Sequence, residues 1–155
     1  MMPSLRRALV AGAALVALAC AAPADARSFR WANDGDVNSM DPYARNETFL
    51  LAFLQNIYEP LVRRDKTLKL EPGLAEKWGQ TAPTTWYFDL RKGVKFHDGS
   101  PLTAEDVLFS MERAEKLPGG QYASFVQRLT DRRAVDPYTV RVKTATPYAM
   151  VPYDL

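Results

Sequence analysis

Cysteine and histidine are nearly absent from this chain, which holds one of each among its 155 residues. The cysteine, Cys20, lies in an N-terminal segment that we expect to be removed from the mature protein. A mature chain without cysteine can form no disulfide, thiolate metal site or cysteine nucleophile. A single histidine, His97, also argues against a zinc site, since such sites draw on several Cys and His ligands. We therefore expect no metal and no cofactor.

Motifs for catalysis and nucleotide binding are missing as well. No G-x-x-x-x-G-K-[ST] loop is present to cradle a phosphate, and no G-x-S-x-G elbow presents a nucleophilic serine. His97 and Asp98 are adjacent, but Ser100 is too close in sequence to be presented as their nucleophile. We interpret His97 to Gly99 as turn residues and expect no enzyme, with a secreted hydrolase as the alternative.

A strong excess of charge of either sign is also lacking. The chain has 20 Lys and Arg against 18 Asp and Glu, a formal net charge of +2. Such a balance gives no reason to expect nucleic acid or an anionic membrane surface as a partner. The acidic, turn-rich run at 33–42 lacks the spacing and the closing glutamate of a calcium loop.

The N-terminus has the pattern of a secretory signal peptide. Arg6 and Arg7 precede a short apolar run at 8–20, and small residues follow at 24–26. The apolar run is too short to span a bilayer comfortably. We expect residues 1–26 to be cleaved off after Ala26, with cleavage after Ala24 as a nearby alternative, and the mature chain to be periplasmic.

Two alternatives concern this segment. The pair Arg6 and Arg7 raises twin-arginine export, although the surrounding residues lack its fuller pattern. Lipidation of Cys20 would anchor the mature chain to a membrane. The large aliphatic residue expected three positions before a lipidated cysteine is Leu18, however, and it stands two before.

Helices are predicted where apolar residues recur with a period near 3.6. The first spans 48–59, with Asn46 or Thr48 as its N-cap and Pro60 ending it. A single helical turn is predicted at 74–78, and a short helix at 121–129.

The clearest helix follows Thr103, which is predicted to form a capping box with Asp106. Leu102 and Val107 occupy the positions of a hydrophobic staple. The predicted buried stripe, after which Pro and Gly at 118–120 end the helix, consists of Val107, Leu108, Met111 and Ala114.

Strands are predicted where side chains alternate. Residues 85–90 place Trp86, Phe88 and Leu90 on one face, the pattern of a half-buried strand. Hairpins are predicted with a tip at 66–69 and over 133–143, and a first strand at 29–32. Strands and helices do not alternate regularly, which favours a mixed α+β fold over a doubly wound sheet.

Aromatic side chains are plentiful, and most are predicted to lie in the core. Tyr43 and Tyr122 instead stand in loop-rich surroundings. They could line a cleft, where a tyrosine offers both an apolar face and a hydroxyl.

Four stretches resemble motifs of one family, the solute-binding proteins of ABC importers in the class that binds oligopeptides, dipeptides, nickel chelates and related solutes. The motifs are S-L-D-P, N-I-Y-E-G-L, L-x-P-x-L-A-E-S-W and a long signature ending in D-V-x-F-S-x-x-R. The matching residues are 39–42, 56–61, 70–78 and 86–113, with Pro60 where the family usually has Gly. The resemblance covers residues 29–155, and the long signature is highly specific.

The resemblance implies a periplasmic-binding-protein-like type II fold, in which two lobes joined by a hinge close over a solute. Residues 27–43 would begin lobe one, and 44–155 would form a small subdomain of that lobe, truncated at its C-terminus. The second lobe and the hinge would lie outside this sequence. We therefore expect a part of a longer protein.

The resemblance also implies a binding site and partners. The segment after the Asp-Pro turn lines the cleft in peptide-binding members, which corresponds here to Asn46, Glu47 and Thr48, and a tyrosine after the signature helix corresponds to Tyr122. Helix capping is the alternative role for Asn46 and Thr48. The expected partners are a peptide-like solute and an ABC permease in the inner membrane, the protein being a monomer. A sensor or chaperone-like peptide binder on the same fold is the alternative.

Overall fold

A computed structural model describes residues 30, 32 and 35–155. The described residues 35–155 belong to one compact unit. The predicted signal peptide lies outside the described residues, as does the predicted strand at 29–32 apart from Arg30 and Ala32.

The described chain contains four helices and six strands. In chain order they are α1 (Thr48–Leu54), β1 (Val62–Arg64), β2 (Leu70–Pro72), β3 (Ala75–Ala82), β4 (Thr85–Leu90), α2 (Ala104–Lys116), α3 (Ala123–Val126), β5 (Leu129–Asp136), β6 (Thr139–Thr144) and α4 (Val151–Asp154). None of the described helices has the length and apolar character needed to cross a bilayer.

A four-stranded antiparallel sheet with strand order β3-β4-β6-β5 forms the centre of this unit. Phe88 of β4 pairs with Trp78 on one side and with Val140 on the other. Strands β1 and β2 form a separate hairpin, whose turn follows Asp65. The hairpins predicted at 66–69 and 133–143 are confirmed, and the latter is longer than predicted at both ends.

The core lies on one face of the sheet. Burial alternates along the whole of β4, so Trp86, Phe88 and Leu90 are buried as predicted. Helix α2 contributes Met111 and Ala114 to the same core cluster. Complete burial of such side chains stabilises the fold by about 1.5–3 kcal/mol each.

Helix α2 begins and ends where the sequence predicts. The carboxylate of Asp106 accepts hydrogen bonds from the backbone N–H and the hydroxyl of Thr103, each at 2.8 Å. These bonds satisfy polar groups that a helix start would otherwise leave unpaired. The helix ends at Lys116, and Gly119 follows with φ of +74°. Of the predicted buried stripe, Leu108 is only partly buried.

The prediction for the first helix is confirmed at its start, Thr48, and is wrong at its end and in its N-cap residue. Helix α1 stops at Leu54 rather than Glu59, and the side-chain amide of Asn56 donates to the carbonyls of Ala52 and Phe53 at 3.1 and 3.0 Å. A side chain that bonds to the last carbonyls competes with continuation of the helix. At the start of the helix, the N-cap position is held by Glu47.

Two further helical predictions are corrected. Residues 75–78 belong to strand β3, because pairing with β4 overrides the local preference for a helical turn. The helix predicted at 121–129 is confined to Ala123–Val126, since Leu129 already pairs with Thr144 in the sheet.

Candidate functional site

A half-buried ion pair connects the loop before α1 to the end of α2. Arg113 donates a 3.0 Å hydrogen bond from one guanidinium nitrogen to Oδ1 of Asp41, and its second terminal nitrogen bonds to Oδ2. The two side chains are 39% and 25% exposed. A bidentate Arg–carboxylate pair fixes orientation as well as distance. The pair therefore sets how the loop approaches the helix.

The Asp41 carboxylate also organises its own turn. Its Oδ1 accepts the backbone N–H of Tyr43 at 3.0 Å, and the Arg113 guanidinium lies 5.6 Å from the centre of the Tyr43 ring. Hydrogen bonding from Arg113, together with the bond from Tyr43, holds the pKa of Asp41 below its ordinary value. Asp41 is thus held in its charged form.

Gln121 joins this loop to the segment after α2 by two hydrogen bonds. The side-chain oxygen of Gln121 accepts a hydrogen bond from the backbone N–H of Asn46 at 2.6 Å. The backbone N–H of Gln121 donates to the carbonyl of Tyr43 at 3.2 Å. Since 75 positions separate Asn46 from Gln121, these bonds are tertiary contacts. They hold the loop before α1 next to the segment that follows α2.

Tyr122 lies at the junction of these segments. Its ring packs edge-on against Tyr43, with ring centres 6.2 Å apart, and also contacts Phe125 at 5.8 Å. Its hydroxyl reaches Oδ1 of Asn46 at 3.4 Å. Burial raises the pKa of this hydroxyl, which is therefore a neutral hydrogen-bonding group.

The structure thus brings together two of the four predicted site residues, Asn46 and Tyr122. Glu47 and Thr48 follow Asn46 directly and are exposed. Glu47 has an extended backbone, and its carboxylate accepts a 3.3 Å bond from the side chain of Asn38. Thr48 is the first residue of α1. The chemistry gathered here is an amide, a hydroxyl, a carboxylate and aromatic faces, which suits hydrogen bonding and stacking of a ligand.

Sequence reasoning missed Arg113 and Gln121 as parts of this cluster. Arg113 is the last residue of the long signature motif, and that position was the only indication in the sequence that this arginine has a role. Gln121 had no signal beyond its place next to Tyr122. Tyr58 was missed in the same way, and its hydroxyl donates to the carbonyl of Met40 at 3.0 Å.

A second arginine connects three of the motifs. Arg91 bonds to the carboxylate of Glu59 at 2.9 Å and to the carbonyl of Gly73 at 3.1 Å. A Cβ atom at Gly73 would lie 2.4 Å from the carbonyl oxygen of Pro60, so this position accommodates only glycine without a backbone shift. The motif residues at this junction therefore fix the course of the backbone.

The turn at 97–99 has the geometry of a structural turn. Asp98 Oδ1 accepts the backbone N–H of Ser100 at 2.9 Å and its hydroxyl at 2.6 Å, and the latter bond chiefly lowers the pKa of Asp98. Gly99 has φ of +89°. Residues 35–155, with 30 and 32, contain no group of three His, Cys, Asp or Glu side chains arranged to hold a metal.

A shallow concavity of about 530 Å³ lies on another part of the surface. It is formed by the β3–β4 turn and the segment before α4, and is lined by Gln80, Thr81, Ala82, Pro83, Pro147, Tyr148 and Ala149. None of these residues belongs to the Asn46–Tyr122 cluster.

Comparison with known proteins places this geometry in context. Residues 69–155 match the family model of bacterial extracellular solute-binding proteins, family 5. The chain is 30% identical over 139 residues to the periplasmic oligopeptide-binding protein OppA of Escherichia coli, covering 78% of this chain and 25% of that relative. The chain thus spans about a quarter of the length of the curated relatives it matches.

Solved structures agree with this similarity. OppA of Burkholderia pseudomallei superposes with a TM-score of 0.71 at 29% identity, covering 76% of this chain and 26% of that one. OppA of Haemophilus influenzae, solved in complex with RPPGFSPFR, gives 0.68 at 29% identity over 73% of this chain and 26% of that one. The fold described above is therefore a part of the type II periplasmic-binding-protein fold, which confirms the mixed α+β prediction.

Proposed function

The chain belongs to the bacterial extracellular solute-binding proteins of family 5, and from that premise we propose that it is a part of the solute-binding component of an ABC importer. In this proposal the protein captures a peptide-like solute and delivers it to a permease in the inner membrane. The observation that carries the proposal is the contact of Asn46 with Tyr122, in a chain with the fold of this family.

The chemistry of the cluster supports a peptide-like solute. A peptide main chain offers alternating N–H and C=O groups, which an extended backbone and polar side chains recognise. Glu47 supplies the extended backbone, Asn46 an amide and Tyr122 a hydroxyl. In support, the OppA structure from Haemophilus influenzae was solved with a nonapeptide, RPPGFSPFR.

We propose that residues 27–43 begin the first lobe and that residues 44–155 belong to its small subdomain. Relatives about four times as long support the proposal that a second lobe and a hinge complete the protein. Capture would then consist of closure of two lobes over the solute, a shift in population from open to closed forms. No step of this process breaks a covalent bond, so the protein would act without catalysis.

We further propose a periplasmic location, reached by cleavage of the signal peptide at 1–26, and a monomeric state. The apolar run and small residues at the N-terminus support export. The names of relatives described as periplasmic support the same location.

Identification of the bound solute tests the proposal. The longer polypeptide that we propose contains this chain would be purified under native conditions, denatured, and its released small molecules identified by mass spectrometry. We expect di- or oligopeptides, or related small solutes, in amounts approaching one per protein. The same preparation of an Asn46→Ala/Tyr122→Phe variant should release less. Release of no solute from either protein, together with no saturable binding of peptide mixtures, would contradict the proposal.

A further inference from the structure

The loop preceding α1 is held in place by side chains outside the predicted site. Asp41 is tied to Arg113, and Asn46 and Tyr43 are tied to Gln121. Both anchoring residues come from α2 and the segment after it. The loop itself contains no helix or strand between residues 41 and 47. Its conformation therefore depends on these tertiary contacts together with the turn bonds that Asp41 accepts from the backbone N–H groups of Tyr43 and Ala44.

Arg113 holds one end of the same short segment, and Gln121 holds its middle and its other end. Arg113 fixes the turn at Asp41 through two bonds, and Gln121 fixes Asn46 through one and Tyr43 through another. The Arg113 guanidinium also lies over the Tyr43 ring, which packs on Tyr122. Arg113 is thus connected through Tyr43 to Tyr122, and through Tyr43 and Gln121 to Asn46.

We propose that Arg113 and Gln121 are positioning residues that pre-organise Asn46 and Tyr122 for solute capture. The inference rests on the proposed function, but its structural part concerns the loop alone. A loop that is already ordered loses less conformational entropy when a ligand binds. We call Arg113 and Gln121, with the bonds they make to residues 41–46, the loop clamp. The loop clamp thus strengthens solute capture, although neither side chain needs to contact the solute.

Hydrogen exchange on the chain itself tests the structural part without any solute. In Arg113→Met, the backbone amides of Tyr43, Ala44 and Asn46 should exchange about tenfold faster, because a charge-assisted pair is lost. Amides of β4 and β6 should keep their protection. Lys116→Met is the matched control. It removes a cation from the same helix, but the ion-pair partner of Lys116 is Glu112 and not a residue of the loop. This control should leave the amides of 43–46 unchanged.

A double-mutant cycle makes the test specific to the pair. If Asp41 and Arg113 act together, the Asp41→Asn/Arg113→Met double variant should exchange no faster at 43–46 than either single variant. Arg113→Lys, which keeps the charge without the bidentate geometry, should lie between the wild type and Arg113→Met. Gln121→Ala should accelerate exchange at Asn46, and it decides the test if Arg113→Met fails to fold.

Solute binding by the longer polypeptide tests the functional part. Arg113→Met and Gln121→Ala should each weaken binding of the co-purified solute several-fold while the melting temperature changes little. Unchanged exchange at 43–46 in both variants would overturn the clamp. Faster exchange with unchanged solute affinity would overturn the positioning role. If the wild type binds no solute while the exchange results hold, the proposed function fails and the loop clamp stands.

Discussion

The hydroxyl of Tyr122 lies 3.4 Å from Oδ1 of Asn46, although 76 positions separate the two residues in the chain. The contact joins the loop before α1 to the segment after α2. Each residue was identified separately by resemblance to the same family, and the structure shows that they meet. This meeting makes them a single candidate site.

Removal of the Tyr122 hydroxyl should weaken solute capture with little effect on the fold. Tyr122→Phe keeps the ring contacts with Tyr43 and Phe125 but loses the bond to Asn46. In the proposed site the hydroxyl also bonds to the solute, and since a hydrogen bond contributes about 0.5–1.5 kcal/mol, we expect a loss of affinity of about two- to tenfold. Calorimetric titration of the longer polypeptide measures it. Tyr153→Phe, in α4, is the control, and an equal loss in that variant would refute a specific role for Tyr122.

Acid should weaken the contribution of Asp41 to stability. Its pKa is lowered in the folded protein by Arg113, so its contribution is fully present above the unfolded-state pKa, near 3.8, and is lost as pH falls through the folded value. Arg113 stays charged throughout this range, because its hydrogen bond with Asp41 raises its pKa further above the ordinary arginine value.

Unfolding curves at several pH values measure this effect. The stability difference between wild type and Asp41→Asn should be constant near neutrality and should shrink below about pH 4. In an Arg113→Met background the same substitution should show much less pH dependence. A difference that grows on acidification would contradict the assignment.

Gly73→Ala should destabilise the fold by about 2 kcal/mol or more, because the new Cβ would lie 2.4 Å from the Pro60 carbonyl oxygen and 3.0 Å from that of Leu61. Gly79→Ala is the matched control. Its Cβ would meet the outer part of the Tyr87 ring at 3.0 Å, and that side chain can move. Urea unfolding of both variants compares them, and a larger loss at Gly79 would disprove the steric argument.

Phe88→Ala should cost about 3–5 kcal/mol, because this ring is 0% exposed at the centre of the sheet. Phe109→Ala removes an equal side chain that is 65% exposed on α2. The exposed substitution should change stability by no more than about 0.5 kcal/mol. Comparable losses in both variants, measured by urea unfolding, would mean that the core is placed wrongly.

Local sequence patterns predicted the elements whose stabilising contacts are local. Strand β4 follows from the alternation of Trp86, Phe88 and Leu90, and the start of α2 follows from Thr103 and Asp106, three positions apart. In both cases the residues that define the element are neighbours in the chain. Periodicity and capping chemistry are therefore sufficient.

Long-range contacts account for what could not be predicted. Strand β3 exists because β4 supplies its hydrogen-bonding partners, and nothing within 74–78 signals that pairing. The contact between Gln121 and Asn46 likewise depends on the packing of α2 against the sheet. The part of Arg113 and Gln121 in the candidate cluster was therefore visible only in three dimensions.

The central claim is that this chain contributes one side of a solute-binding cleft that a second lobe completes. Calorimetric titration of the co-purified solute into the longer polypeptide, and into residues 27–155 alone, tests it most directly. We predict saturable binding of one solute per molecule of the longer polypeptide and no measurable binding by residues 27–155. Tight, stoichiometric binding by residues 27–155 alone would contradict the claim.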